Sequence, residues 1–268
     1  MSAPSVAVVV PSRNDAALLR RCLAALEAGT RRPDRVIVVD NDSADDTADV
    51  ARAHGATVVT QPVHGIWPAS AAGYDAATED VIARLDADSL PAWDWVERLV
   101  ARFSGPDAPD LLTGRGRFYG PRRVVNWMGD HWYLGGLYAV VGPYLGHPPL
   151  FGSSMAMRRE AWRELRDLVH RDRADIHDDL DLSFQVRPWM RVVHDDAWVV
   201  GVSARPFDSW SSFGRRLRWV VTTVRVCWPE SRPFRHRAER RAWRRRQPGV
   251  PSGSSTGVTP SPDDGAAR

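Results

Sequence analysis

The chain of 268 residues is long enough for one large domain, or for two smaller lobes that share a sheet. Hydrophobic residues make up 43% of it, and its 36 basic residues, all arginine, nearly balance its 33 acidic residues. No apolar run reaches about 18 residues, which argues against a membrane-spanning helix, and two distant cysteines are too few for a disulfide framework. The N-terminal segment has no basic region before an apolar stretch, so we expect no signal peptide and a cytoplasmic protein.

The first part of the chain alternates short apolar runs with amphipathic runs. The apolar runs are rich in β-branched residues, as buried parallel strands are, and the amphipathic runs repeat with the helical period. They predict strands at residues 5–11, 35–40, 56–61 and 80–88, and helices at 16–29, 45–55, 68–79 and 92–103. This order predicts an α/β fold with a doubly wound, mostly parallel sheet, in which ligands bind beyond the carboxyl ends of the strands.

The second part of the chain is less regular. Its patterns predict a strand at 110–120, a strand that runs into a helix over 150–170, a short helix at 178–187, a strand pair at 190–205 and a basic amphipathic helix at 211–226. We expect one domain over residues 1–230, with a first half at 1–105 and a smaller mixed half at 106–230. A basic helix or extension at 231–247 and a disordered tail at 248–268, rich in Pro, Gly, Ser and Thr, follow it.

Polar side chains follow three of the four strands predicted in the first half. Each of them is also ordinary in a turn or at a helix start. Because the carboxyl ends of parallel strands meet at one edge of a sheet, we expect these side chains to line one site. They are Arg13 and Asp15 after the first strand, whose last residue is Pro11, Asp40 at the end of the second, and Asp86 and Asp88 at the end of the fourth. Pro11 is expected to line the same site.

Asp86 and Asp88 predict a metal site. Side chains two residues apart in a strand point the same way, so the two carboxylates are expected to converge and to repel one another. A divalent cation removes that repulsion, and oxygen ligands suit Mg²⁺ or Mn²⁺, which also bind phosphate. The alternative is a turn before a helix that begins at residues 89–91, with Asp88 only as its cap.

A metal beside a diphosphate stabilises a charged leaving group, and Asp40 is placed to accept hydrogen bonds from a base or a ribose. We therefore expect a substrate that contains a nucleoside diphosphate. No glycine-rich loop of the form GxGxxG or GxxxxGK[ST] follows a predicted strand, which argues against hydride transfer with NAD and against P-loop hydrolysis.

Five segments resemble, in order, the motifs of family 2 glycosyltransferases, which have the GT-A fold. The segments are VAVVVPSRND, VIVVDNDSADDT, VIARLDADSLP, LFGSSMAMRREAW and DDLDLS, and together they cover roughly residues 5–225. The resemblance implies metal-dependent transfer of a sugar, with inversion, from a nucleotide sugar to an acceptor hydroxyl. Such transfers serve the synthesis of cell-envelope glycans, glycolipids or secondary metabolites.

The resemblance also implies roles for particular residues. Asp178 and Asp179 stand where the family has a Glu-Asp pair, and Asp179 is the implied general base. Both also fit the start of a helix, where acidic residues are favoured by the helix dipole. The other implied roles are nucleotide-sugar binding by Pro11, Arg13, Asp15, Asp40 and Asp86, metal binding by Asp86 and Asp88, the acceptor side at Gly152, Ser153 and Ser154, and the diphosphate at Arg218. A closely packed strand equally explains Gly152, Ser153 and Ser154, and a solvated helix face equally explains Arg218.

The chain departs from the processive members of the family. Their Gln-x-x-Arg-Trp motif is replaced by RRLRW, with Arg215 in the place of Gln, and flanking transmembrane helices are not predicted. We therefore expect a single, non-processive transfer. Two other functions stay open: a nucleotidyltransferase on a similar sheet, and a non-catalytic scaffold that binds a nucleotide sugar.

The segment between Arg232 and Arg246 contains eight arginines and one acidic residue, Glu239. Such a segment is typical of a solvated helix or of contact with an anionic membrane, here the inner face of the plasma membrane. Only Phe234 and Trp243 interleave with the arginines, so we expect no nucleic-acid partner. Together with the aromatic residues of 127–146, the segment suggests peripheral membrane contact and a lipid-linked acceptor.

Overall fold

One mixed sheet of eight strands runs through the described part of the chain. The computed structural model describes residues 2–120, 141–203, 205, 210–229 and 235–246. The strand order is β3-β2-β1-β4-β7-β6-β8-β5. The strands are β1 (Val6–Ser12), β2 (Arg35–Asp40), β3 (Thr57–Thr60), β4 (Val81–Arg84), β5 (Leu90–Pro91), β6 (Leu111–Tyr119), β7 (Met155–Arg158) and β8 (Val192–Ser203).

Helices cover both faces of this sheet. They are α1 (Ala16–Glu27), α2 (Thr47–Ala53), α3 (Ile66–Ala76), α4 (Trp95–Ser104), α5 (Arg159–Leu165), α6 (Asp178–Gln185), α7 (Trp210–Cys227) and α8 (Arg235–Arg246). The alternating strands and helices predicted for the first half are confirmed, with shifted ends. The helix predicted at 211–226 is α7, and the basic segment predicted at 231–247 contains α8.

The first half of the sheet is parallel. β1 pairs in parallel with β2 on one side and with β4 on the other, and β2 pairs in parallel with β3. Because helices cover both faces, the central strand reads as a continuous apolar run, and Val6 to Val10 are fully buried. This arrangement confirms the predicted doubly wound sheet and brings the carboxyl ends of β1, β2 and β4 to one edge.

The second half of the sheet is mixed. β7 lies antiparallel between β4 and β6, whereas β8 runs parallel to β6 and antiparallel to β5. The strand pair predicted at 190–205 is wrong, because β8 is a single strand with an irregularity. Gly114 of β6 pairs with Asp195, but Arg115 pairs with Val199, so extra residues of β8 bulge out between them. The extra residues, 196–198, interrupt the regular pairing of β8, which is why its sequence pattern divides into two strand-like parts.

Two apolar clusters hold the helices to the sheet. α1 and α4 cover one face, and α3, α5 and α6 cover the other. α3 approaches β1 so closely that a Cβ atom on Gly73 would lie 2.3 Å from Cγ1 of Val9. The small residues that predicted a helix at 68–79 therefore serve close packing, which places Ser70 of α3 near the edge where the site lies.

The C-terminal helices pack against the second half of the domain. α7 contacts α6 through Cys227, which packs in one cluster with Leu180 and Phe184. α8 is fixed by Arg240, which is 6% exposed and donates hydrogen bonds to the carbonyl oxygens of Arg187 and Met190. Among the described residues, no helix is both long and apolar enough to cross a membrane. The tail predicted at 248–268 and residues 127–140 of the aromatic segment lie outside the described residues.

Candidate active site

Asp86 and Asp88 lie in a turn after β4, and not within the strand as predicted. The strand ends at Arg84, and the turn is held by hydrogen bonds from the Ser89 amide to the Asp86 carbonyl (2.9 Å) and from the Asp86 amide to Ser89 Oγ (3.2 Å). Same-face alternation in a strand therefore does not explain their proximity. The alternative of a helix capped by Asp88 is also wrong, because residues 90–91 form β5 and α4 begins after Asp94.

Both carboxylates have polar partners in the described structure. Oδ1 of Asp86 accepts a hydrogen bond from Nη2 of Arg84 (2.8 Å), and Oδ2 accepts one from Oγ of Ser153 (2.6 Å). Oδ2 of Asp88 accepts a hydrogen bond from Nη2 of Arg205 (2.9 Å). Burial of Asp88, followed by the charge of Asp86, raises the pKa of the Asp88 carboxyl above its ordinary value, although Arg205 opposes the rise.

Arg205 also brings Asp15 to the same place. Its Nη1 donates to Oδ1 of Asp15 (2.7 Å), so one guanidinium bridges the end of β1 and the turn after β4. Asp15 stands at the start of α1 but makes no side-chain capping hydrogen bond. The carboxylate is therefore directed to Arg205, and the cap interpretation does not describe it.

The ends of β1 and β2 are locked together by side chains. Asn14 adopts a left-handed backbone (φ 53°), and its Oδ1 accepts a hydrogen bond from the amide of Ala44 (2.7 Å). Asp40 ends β2, and its Oδ1 accepts one from the amide of Ser43 (3.2 Å). Asn41, which is buried, donates to the carbonyls of Gln61 and Val63. These contacts build a rigid floor at the edge of the sheet.

Pro11 and Arg13 flank a buried hydroxyl at this floor. Pro11 is half-buried in β1, and Arg13 is exposed. Ser12 between them is 4% exposed, and its Oγ has no hydrogen-bond partner among the described residues. A buried polar atom without a partner is rare, because leaving it unpaired costs about 1–3 kcal/mol, and a ligand that reaches it removes that cost.

Asp178 and Asp179 are the first residues of α6, as the helix-start interpretation expects, but neither is its cap. The N-cap residue is His177, whose amide donates to Thr223 Oγ1 of α7 (2.9 Å). Asp178 is buried: its Oδ2 accepts a hydrogen bond from Oγ of Ser70 (2.8 Å) and lies 2.8 Å from Nη1 of Arg84. Burial raises the pKa of the Asp178 carboxyl, and the guanidinium of Arg84 opposes that rise.

Asp179 faces the turn formed by Gly152 and Ser153. Its Oδ2 accepts a hydrogen bond from the amide of Gly152 (2.9 Å), and its Oδ1 accepts one from the amide of Leu180 (2.8 Å). Since Ser153 in the same turn holds Asp86, the turn joins Asp86 directly to Asp179. Each oxygen of Asp179 keeps a further lone pair, and the side chain is half-buried.

Gly152, Ser153 and Ser154 precede β7 and do not belong to a strand, although the sequence predicts one from residue 150. Gly152 and Ser153 are part of the site, whereas Oγ of Ser154 accepts a hydrogen bond from the indole of Trp95 (3.3 Å) in the core. No hydrogen bond or ion pair joins Arg218 to these residues in the described part of the chain. Arg218 is exposed on α7.

Sequence reasoning missed three side chains of the site: Ser70, Arg84 and Arg205. Arg84 carried a signal, because a charged residue in the otherwise apolar run VIAR of β4 is unusual in a buried strand. Arg205 and Ser70 carried none, since their partners lie 117 and 108 residues away in the chain.

The residues present fit a divalent cation at Asp86 and Asp88. Each oxygen of Asp86 accepts a single hydrogen bond, and the side chain is 36% exposed, so lone pairs remain for a ligand. Burial of Asp88, followed by the charge of Asp86, raises the pKa of the Asp88 carboxyl, and a cation beside the two carboxylates would offset that charge. Oxygen ligands of this kind suit Mg²⁺ or Mn²⁺.

A second group of metal-binding side chain types lies elsewhere, in His170, Asp181 and Cys227, with ligand atoms within 4.8 Å of one another. The buried carboxylate of Asp181 already accepts hydrogen bonds from Trp67 Nε1 (2.7 Å), from the amide of His170 (2.8 Å) and from Cys227 Sγ (3.2 Å). Nδ1 of His170 also lies 2.8 Å from Oδ1 of Asp181. The Asp181 carboxylate therefore has polar partners on both oxygens without a metal.

A family model described as glycosyl transferase family 2 matches residues 7–166, which is more than half of the chain. An uncharacterized glycosyltransferase of Mycobacterium tuberculosis H37Rv is 45% identical over 133 residues, which are 49% of this chain and 54% of that protein. Glycosyltransferase AglE of Haloferax volcanii is 31% identical over 126 residues, which are 44% of this chain and 41% of that protein. The chain thus spans about half the length of these curated relatives.

Solved structures share the fold. Glucosyl-3-phosphoglycerate synthase from M. tuberculosis, in complex with Mn²⁺, UDP and glucosyl-3-phosphoglycerate, has a TM-score of 0.60 and 21% identity, covering 84% of this chain and 80% of that one. Mannosyltransferase PcManGT from Pyrobaculum calidifontis, in complex with GDP-Man and Mn²⁺, has a TM-score of 0.66 and 20% identity, covering 90% and 70%. Identity this low shows the fold alone, and the expected GT-A fold is confirmed. The chain belongs to glycosyl transferase family 2.

Proposed function

We propose that the chain is a metal-dependent, inverting glycosyltransferase that moves one sugar from a nucleoside-diphosphate sugar to an acceptor hydroxyl. Membership of the family supports sugar transfer. The complexes of its structural neighbours with Mn²⁺ and with UDP or GDP-Man support a nucleotide-sugar donor and a divalent metal for this chain as well.

One observation carries the proposal: a two-residue turn joins Asp86 to Asp179. The Ser153 hydroxyl holds Asp86, and the Gly152 amide holds Asp179, so a candidate donor carboxylate and a candidate base are fixed to adjacent residues. Inversion requires the acceptor to attack from the side opposite the leaving diphosphate. One turn that holds both carboxylates keeps the candidate base close to the candidate donor carboxylate, which supports a direct displacement.

The residues at the ends of β1, β2 and β4 are assigned to the donor and its metal. Asp40, Asp15 and the unpartnered hydroxyl of Ser12 bind the nucleoside at the floor made by β1 and β2. Asp86 and Asp88 would hold the metal, which stabilises negative charge on the leaving diphosphate. Arg205 lies beside these carboxylates and is suited to a phosphate oxygen, and the role of Arg218 stays a prediction.

Asp179 acts as the general base. The acceptor oxygen forms a bond to the anomeric carbon while the bond from that carbon to the diphosphate oxygen breaks. The hydroxyl proton moves to a free lone pair of Asp179, and the nucleoside diphosphate leaves with the bonding electrons. Hydrogen bonds from Gly152 and Leu180 orient the carboxylate for this transfer.

The test begins with a thermal-shift panel of nucleotide sugars, with Mn²⁺ and with chelator, to find the donor. Asp179→Asn is then expected to lower kcat by about 10² to 10⁴-fold, because the base is lost, and to leave the donor dissociation constant within about twofold, because Asp179 does not hold the donor. Asp196→Asn, an exposed acid of β8, is the matched control and is expected to keep wild-type kcat.

Normal transfer by Asp179→Asn would show that the base is elsewhere. Release of pyrophosphate in place of a nucleoside diphosphate would indicate a nucleotidyltransferase. Donor binding by the wild type with neither hydrolysis nor transfer would indicate a scaffold. A lipid-linked acceptor and contact of α8 with anionic membrane stay predictions. Flotation with anionic and neutral liposomes tests the membrane contact, and equal flotation with both, or with neither, would contradict it.

A further inference from the structure

Arg84 is a buried cation between the two ends of the site. It is the last residue of β4 and is 3% exposed, after three apolar residues of the same strand. Its Nη2 donates to Oδ1 of Asp86 (2.8 Å), and its Nη1 lies 2.8 Å from Oδ2 of Asp178. One guanidinium therefore contacts a candidate metal carboxylate and the residue next to the candidate base.

This arrangement is costly to build, which argues that it has a purpose. Moving an arginine and a carboxylate out of water carries a desolvation penalty, and a well-packed apolar pair is often as stable. Arginine keeps its charge in proteins, and the carboxylates of Asp178 and Asp86 each lie 2.8 Å from the Arg84 guanidinium. The planar guanidinium can meet two carboxylates at fixed angles, which a lysine cannot do.

We propose that Arg84 is a positioning residue that sets the placement of Asp86 relative to the base at the start of α6. The role rests on the proposed function. In this role Arg84 touches neither the donor nor the acceptor. It acts through Asp86 and through Asp178, which precedes Asp179 in the first turn of α6. Regular elements hold Arg84 and one of its partners: Arg84 ends β4, and Ser70 of α3 holds Asp178 through a hydrogen bond of 2.8 Å.

The turn at Gly152 and Ser153 is a second connection of the same two ends. A Cβ atom on Gly152 would lie 2.3 Å from Nη1 of Arg84 and 3.1 Å from Oδ2 of Asp179. The turn thus packs directly on the guanidinium while its own amide and hydroxyl bind Asp179 and Asp86. Arg84 joins Asp86 to Asp178, and the turn joins Asp86 to Asp179, the next residue of α6. Together the two connections restrict the position of Asp86 relative to the start of α6, and a shift of about 1 Å in such a site can cost about 10²-fold in rate.

The test separates positioning from mere stability. Arg84→Met is expected to lower kcat about 100-fold with the donor KM within about threefold, and to lower Tm by roughly 10 °C because Asp178 is left buried without its cation. Arg84→Lys should recover part of kcat. Arg84→Met combined with Asp178→Asn leaves no buried charge at Asp178, so Tm should return towards wild type while kcat stays at least about 10-fold below that of Asp178→Asn alone.

Arg240→Met is the matched control, since Arg240 is a buried arginine bound to backbone carbonyls outside the site. Arg240→Met is expected to have a lower Tm than the wild type and a kcat within about twofold of the wild-type value. The positioning role is overturned if Arg84→Met loses no more kcat than Arg240→Met, or if the double variant recovers kcat together with Tm. If the wild type itself neither hydrolyses nor transfers any donor, the proposed function fails and this role fails with it.

Discussion

Gly152 shows how a single missing side chain can serve the site. Its position has no room for a methyl group, because a Cβ atom would meet both Arg84 and Asp179. The sequence suggested either an acceptor-side residue or a small residue in a closely packed strand. The structure shows a turn in close contact with Arg84 and Asp179. Glycine is required at residue 152 because these two side chains leave no room for a Cβ atom.

Gly152→Ala is therefore expected to displace Asp179 or Arg84. We expect a fall in kcat of about 100-fold, and a fall in the free energy of unfolding of about 1–3 kcal/mol from overpacking. Gly214→Ala on α7 is the control, because no described atom lies within 4 Å of the added carbon and alanine favours helix by about 1 kcal/mol. Steady-state kinetics and chemical denaturation check both, and an active, stable Gly152→Ala would contradict the close approach.

At the scale of the elements, α8 is tied to the domain by buried polar groups. His147, 8% exposed, lies with Nε2 3.2 Å from the carbonyl oxygen of Ser183 in α6. Burial, followed by the charge of Arg240 and that of His236, lowers the pKa of His147 from 6.5 to about 3. The neutral imidazole thus belongs to the packing of α8 against the loop before β7.

This shift predicts a pH dependence of stability. Between pH 6.5 and about pH 3, His147 is protonated in the unfolded chain but neutral in the folded chain. Protonation therefore stabilises the unfolded state, and the free energy of unfolding falls as the pH is lowered below 6.5. The free energy of unfolding should fall by about 2 kcal/mol between pH 7 and pH 5 from this group. Urea denaturation of wild type and His147→Gln at both values checks it, and an equally steep fall in the variant would contradict the assignment.

At the scale of the whole molecule, the first half could be predicted from the sequence and the second half only in part. The buried strand at Val6–Ser12 and the helix at Ala16–Glu27 follow from local apolar periodicity, which needs no knowledge of distant residues. The bulge of β8 and the turn at Gly152 depend on pairing across the sheet. The argument that placed Asp86 and Asp88 together was partly wrong, since a turn and not strand alternation holds them.

The contacts that organise the site are long-range, which is why local patterns did not reveal them. Arg205 meets Asp15 across 190 residues of chain, and Ser153 meets Asp86 across 67. A charged residue inside the apolar run of β4 was the one local sign of the buried network at Arg84. Three elements distant in sequence thus meet at one edge of the sheet, as the doubly wound fold requires.

The most direct measurement is a crystal structure of the chain with Mn²⁺ and the nucleoside diphosphate of its donor, with the metal located by its anomalous scattering. The account predicts one manganese peak bound by Asp86 or Asp88 and the diphosphate, with Asp179 still held by the amide of Gly152. A peak at His170, Asp181 and Cys227 with none at Asp86 and Asp88, or Asp179 turned away from the turn, would contradict it.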